Sequence, residues 1–177
     1  MTPRIEQVYF GAGAWRQVGP LFSALHGVTA TRAGYMGGWT VQPSAEQVAS
    51  GLTGHAEVVE VDFDTRVTSL RSLLKAFFSF HDATLDRRKL SGGQYRSVVF
   101  CRKAKQHIVT GRAIELLRAN GLEVTTEVKD AGIFWPAEAA VRHHAQRARR
   151  YARAVPGDLI DEMSLVEAAK AALPRAA

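Results

Sequence analysis

The sequence predicts an α+β fold, a two-layer sandwich in which one sheet carries a layer of helices. Three observations predict it. Short β-rich segments alternate along the chain with amphipathic helical ones, so neither a bundle nor a barrel fits. The clearest helical segment has one apolar stripe and therefore one face that must be covered. A length of 177 residues suits a single domain that buries about two-thirds of its unfolded surface.

The elements follow in order. Strands are expected over residues 5–11, 28–35, 57–63, 96–102 and 122–128, where β-branched and aromatic residues cluster between glycines. After Ala14 the spacing of Val18, Leu21, Phe22 and Leu25 predicts a helix with a buried stripe. Gly19-Pro20 predicts distortion of its first turns, because proline inside a helix costs about 3 kcal/mol. Ser44 with Gln47 reads as a capping box for a short helix before Gly51. Ser69 caps a helix whose buried face is Leu70, Leu73, Leu74, Phe77 and Phe78. A further helix spans 103–119 and stops at Asn120-Gly121. Residues 1–155 are expected to form the domain, and 156–177 a tail with a short helix packed on it or loosely held.

Composition narrows the function classes. The one cysteine, Cys101, excludes an internal disulfide, a cysteine relay and a multi-cysteine metal site. No metal or cofactor is expected. No signal peptide or membrane-length apolar run is present in the sequence, so a cytoplasmic protein without membrane contact is expected. The net charge of +6 concentrates at Arg142, Arg147, Arg149, Arg150 and Arg153, with His143 and His144 among them. Charge runs of this kind are usually a solvated helical face. No aromatic interleaving or nucleic-acid motif accompanies this one, so nucleic acid is not an expected partner. The expected partner is a small-molecule substrate, aromatic or anionic.

Strand alternation puts Glu57 at the head of an apolar row with Val59, Val61 and Phe63. A carboxyl there either reaches water at the strand end or is buried. Burial raises its pKa and suits it to proton transfer near neutral pH. Tyr35 and Tyr95 each carry a hydroxyl that can donate to a developing oxyanion. His55 lies two residues before Glu57 and reads as a turn-stabilising residue at the edge of the substrate-binding set. Cys101 reads as an unreactive, partly buried thiol, about 20 Å from Tyr95 if one strand spans both.

Several motifs occur together in fixed order: Phe10-Gly11-Ala12-Gly13-Ala14-Trp15-Arg16-Gln17, Gly34-Tyr35-Met36-Gly37-Gly38, Gly54-His55-Ala56-Glu57, Phe80-His81-Asp82, Gly92-Gly93-Gln94-Tyr95-Arg96-Ser97 and Phe134-Trp135-Pro136. Together the chain resembles the A-type peptide methionine sulfoxide reductases, from about Val8 to Pro136. The resemblance implies the ferredoxin-like two-layer sandwich of that family. It also implies that Glu57 protonates or hydrogen-bonds a sulfoxide oxygen with help from Tyr35 and Tyr95. Ala14, Trp15, Arg16, His55 and Trp135 then line the substrate pocket.

Three departures matter. Ala14 stands where the family has its nucleophilic cysteine, Trp15-Arg16 replaces a phenylalanine-tryptophan pair, and Leu90 stands in place of a supporting aspartate. Thiol-dependent sulfoxide reduction is therefore not expected. Retention of the acid and both phenols leads instead to the expectation of an enzyme turned to cysteine-independent acid–base catalysis on a small metabolite, such as amine–aldehyde condensation with cyclisation. The alternatives are a non-catalytic binder of methionine sulfoxide and a residual reductase.

Overall fold

The structure, a computed structural model, describes residues 2–89, 92–137, 143–144 and 162–174. Leu90, the arginines from Arg142 to Arg153, and the start of the tail lie outside the described residues.

Seven strands form one sheet: β1 (Ile5–Ala12), β2 (Val28–Met36), β3 (Ala56–Asp64), β4 (Ser97–Cys101), β5 (Glu127–Asp130), β6 (Trp135–Pro136) and β7 (His143–His144). The order is β5-β4-β1-β3-β2-β6, with β7 also pairing β2. Among the described residues only β4 with β5 is parallel. The helices are α1 (Trp15–Ser23), α2 (Ala45–Ala49), α3 (Leu70–Phe80), α4 (Ala104–Ala119) and α5 (Glu162–Ala171).

The period of two in the strands sorts side chains onto two faces. Val8, Phe10, Val59, Val61, Phe63 and Val99 meet Phe22 of α1, the α3 stripe, Ile114 and Leu117 of α4, and Leu165 and Val166 of α5 in the main core. Phe10 stacks on Phe22 at 4.6 Å and meets Phe77 at 5.1 Å. Such aromatic pairs add about 0.5–1.5 kcal/mol beyond their burial. On the other face Tyr9, Met36, Val58, Val98 and Phe100 form a thinner apolar layer that Ala131 and Phe134 cover. This is the two-layer sandwich the sequence predicts, with its helices on one face.

Local chemistry explains the helix starts. Ser69 accepts from the Ser72 amide, and Ser44 with Gln47 makes both bonds of the capping box. Three expectations need correction. Helix α1 runs through Pro20 and retains the bond from the Ala24 amide to the Pro20 carbonyl. The missing proline N–H removes one bond, to the carbonyl of the exposed Arg16, while Val18 and Phe22 anchor the helix. Leu21 is 43% exposed, since Val18 and Phe22 already occupy the one face that meets the core. The fifth strand begins only at Glu127. Leu122 and Val124 are buried without a ladder, because the Thr125 amide bonds to the Ala83 carbonyl in a loop at 2.8 Å.

Candidate active site

Sheet register assembles the site. Tyr35 on β2 lies opposite Glu57 on β3 and opposite Trp135 on β6. Directly paired residues project to the same face about 5 Å apart, so the acid, the phenol and the indole stand abreast on the helix side of the sheet. Their approach depends on Gly34, where any Cβ would overlap the Trp135 carbonyl and the Phe134 ring.

Helix α1 closes the site from above. Gly13 has φ +106°, a conformation that turns the strand sharply into the helix and that L side chains rarely adopt. Ala14 then occupies the N-cap and contributes no side-chain cap. The first helical amide, that of Trp15, donates to Glu57 Oε2 at 3.1 Å. Trp15 joins Tyr35, Val48, Ala137 and Trp135 in an apolar cluster. Arg16 is exposed, with its guanidinium 5.1 Å from the Trp15 ring centroid.

Burial pushes the Glu57 carboxyl above the ordinary carboxylate range, against the Trp15 amide and the Arg16 charge, which both pull it down. The carboxyl thus lies where burial raises its pKa and the start of α1 opposes that rise. Tyr95 is half-buried in the turn before β4, and the Glu57 amide donates to the neighbouring Gln94 carbonyl at 2.7 Å. This bond ties the Tyr95 turn to the start of β3.

His55 stands apart from the set. It is 2% exposed, with Nδ1 accepting from the Gly38 amide at 3.0 Å and Nε2 against the Thr40 carbonyl at 2.8 Å. Both ring nitrogens hold the loop after β2, in keeping with the turn-stabilising role read from the sequence. Cys101 is 2% exposed, at the far end of β4 from Ser97, which pairs with Ala12. Four residues of strand put it about 13 Å away. Burial pushes its thiol up to about 11, so it is both distant and un-ionised, and more deeply buried than expected. Tyr95 lies outside β4, which replaces the single-strand geometry expected for that pair.

Sequence reasoning missed Arg87. Its Nη1 would meet a side chain at Gly13 at 3.3 Å, and its buried Nε has no hydrogen-bond partner. Its position within Arg87-Arg88-Lys89 gave no signal, since such runs are usually solvated. Arg87 also bears on His81, whose pKa is lowered to about 4, first by burial and further by the arginine's charge. Among the described residues no cluster of histidine, cysteine and carboxylate side chains could hold a metal. The arrangement offers a buried carboxyl with a raised pKa, aromatic walls and cations, with a methyl group at Ala14.

Comparison with known proteins bears on what this site is for. A family model described as peptide methionine sulfoxide reductase matches residues 6–169. A protein from Geobacter metallireducens named peptide methionine sulfoxide reductase MsrA is 42% identical over 142 residues, covering 77% of this chain and 88% of its own. A protein of the same name from Methanothermobacter thermautotrophicus is 42% identical over 140 residues, covering 76% and 83%. Among solved structures, methionine sulfoxide reductase A of Corynebacterium diphtheriae superposes with a TM-score of 0.66 at 29% identity, over 77% of this chain and 72% of that one. Reduced Mxr1 from Saccharomyces cerevisiae gives 0.70 at 23% identity over 77% and 81%, which speaks to the fold.

These relatives overturn the expectation of condensation and cyclisation on a small metabolite. Proteins this similar over three-quarters of the chain carry the reductase name, and they do not favour the non-catalytic binder either. By its sequence and by its fold, the chain belongs to the peptide methionine sulfoxide reductase family.

Proposed function

We propose that the chain acts on methionine sulfoxide in peptides, with Glu57 as the proton donor to the sulfoxide oxygen and with the reducing thiols arriving from other molecules. The observation that carries this reading is the Glu57 carboxyl, raised in pKa by burial, held 3.1 Å from the Trp15 amide and paired in register with Tyr35. Trp15 and Trp135 give the thioether side of the substrate an apolar wall. The family membership supports the substrate class.

The step balances as follows. Glu57 gives one proton to the sulfoxide oxygen and the attacking external thiol gives its own to the same oxygen as its sulfur bonds to the sulfoxide sulfur. The S–O bond breaks, water leaves and a sulfur–sulfur adduct forms. A second thiol attacks that adduct at the sulfur of the first thiol and releases the thioether. One sulfoxide and two thiols become one thioether, one disulfide and one water, and Glu57 recovers a proton from the incoming thiol. Ala14 leaves room for the attacking sulfur where a resident thiol would stand.

The test is reduction of a methionine-sulfoxide peptide with excess dithiothreitol, followed as loss of one oxygen by mass spectrometry. Wild type is expected to give slow, thiol-dependent turnover. Ala14→Cys should accelerate it by about 100-fold, because a positioned nucleophile replaces a bimolecular one. Glu57→Gln should lower either rate by about 100-fold. Absence of thioether from both wild type and the Ala14→Cys variant overturns the reading.

A further inference from the structure

A concave site lies at the end of the sheet away from Glu57. A cleft of about 580 Å³ opens between the end of β3, the loop after it, and the starts of α3 and α4. This volume falls in the range of small-ligand sites, about 300–1,000 Å³. Phe63, at its base, is six residues along β3 from Glu57, about 20 Å away. The cleft is therefore separate from the candidate active site and independent of the function proposed there.

Its charge is one-sided. Arg4, Arg71, Lys103 and Lys105 line it, against one carboxylate, Glu6. Glu6 is already engaged by Lys103 at 3.0 Å and by the Gln106 amide at 3.3 Å. Among the described residues, the side chains of Arg4, Arg71 and Lys105 make no hydrogen bond or ion pair. Arg4, Arg71 and Lys105 thus face one concavity with only Glu6, which Lys103 and Lys105 share, to compensate them.

The backbone adds to this field. Ser69, Leu70 and Arg71 begin the 11-residue α3, and Lys103 and Lys105 begin the 16-residue α4, so two helix N-termini meet at the cleft. Neither first turn contains an acid, and the Lys103 side chain caps nothing. Positive helix ends normally attract acidic side chains. Here Glu6 is the one carboxylate in the lining and four cations stand against it, so the cleft keeps an excess of positive charge. Thr65 and Thr68 contribute hydroxyls, while the fully buried Phe63 and the apolar parts of Leu70 and Val109 form a floor.

We propose that this cleft binds a free organic phosphate of nucleotide size, with the phosphates between Arg4, Arg71 and Lys105 and the apolar part against Leu70 and Val109. The concave shape suits a small ligand rather than a polymer. The floor distinguishes such a ligand from inorganic phosphate.

The experiment is calorimetric titration of the full chain with ATP, with inorganic phosphate and with a single-stranded oligonucleotide, at low and at physiological salt. ATP should saturate with a Kd on the order of 10⁻⁴ M or tighter at low salt and weaken as salt screens the cations. The double variant Arg71→Glu with Lys105→Glu should lose at least about tenfold in affinity, a cost within the range for reversing two nearby charges. Both positions are exposed, and melting of the variant verifies its fold. Lys89→Glu, which reverses the same charge on the loop near Gly13, should change affinity less than about twofold. The proposal is overturned if ATP fails to saturate by about 1 mM, if inorganic phosphate binds as tightly as ATP, if Lys89→Glu matches the double variant, or if only the oligonucleotide binds.

Discussion

At the scale of single residues, two ionisable side chains make the protein's pH dependence readable. Glu57 has its pKa raised by burial, so its folded form holds a proton that the unfolded chain has already lost. Stability therefore falls as pH rises from the ordinary carboxylate value through the raised one, and reaches its lower plateau above it. Glu57→Gln should remove that slope and melt higher than wild type at neutral pH, even while it removes the proposed proton donor. Turnover that depends on protonated Glu57 should fall over the same interval. His81 shows the opposite sign. Its pKa falls from 6.5 to about 4, chiefly because burial excludes the charged ring, with the bond to the Phe77 carbonyl partly opposing the shift. Neutral His81 thus stabilises the fold fully above 6.5, and this contribution is lost as pH falls toward 4. The total is about 3 kcal/mol. Chemical denaturation at a series of pH values should show this loss, and His81→Gln should flatten it.

At the scale of elements, the site depends on how closely β6 approaches β2. Gly34 lies where a methyl group would overlap the Trp135 carbonyl and the Phe134 ring. Gly34→Ala should displace β6, raise KM for the sulfoxide peptide more than it lowers kcat, and shift the Trp135 fluorescence while the helices keep their far-UV signal. Helix α3 is the contrasting case, since its role is packing. Leu74 is fully buried in the main core, so Leu74→Ala should cost about 2–5 kcal/mol by denaturant unfolding. KM should stay near the wild-type value as long as the protein remains folded.

At the scale of the whole molecule, the tail completes the core. Leu165, Val166 and Ala169 of α5 are buried among α3 and α4 residues. Removal of residues 156–177 should expose that surface, lower the melting temperature and raise binding of an apolar dye. Unchanged melting would show that α5 adds nothing to the core. Sheet topology also keeps the candidate active site and the basic cleft apart, with Glu57 near one end of β3 and Phe63 near the other. Ligand binding at the basic cleft can then be read by titration without disturbing the acid.

The sequence by itself determined the family frame, because its motifs sit in fixed order and because caps such as Ser44 with Gln47 and Ser69 are local chemistry. It also determined that Glu57 heads an apolar strand face, since a period of two is a property of the chain alone. Four things were left to the tertiary structure: the pairing of Tyr35 with both Glu57 and Trp135, the use of both His55 nitrogens by the loop after β2, the position of Arg87 over Gly13, and the basic cleft. Each of these joins residues many positions apart in the chain, and their proximity arises only when strands pair and helices pack. Ala14 illustrates the division. The sequence shows that no thiol stands there, whereas the surrounding acid, amide and indoles come together only in the fold.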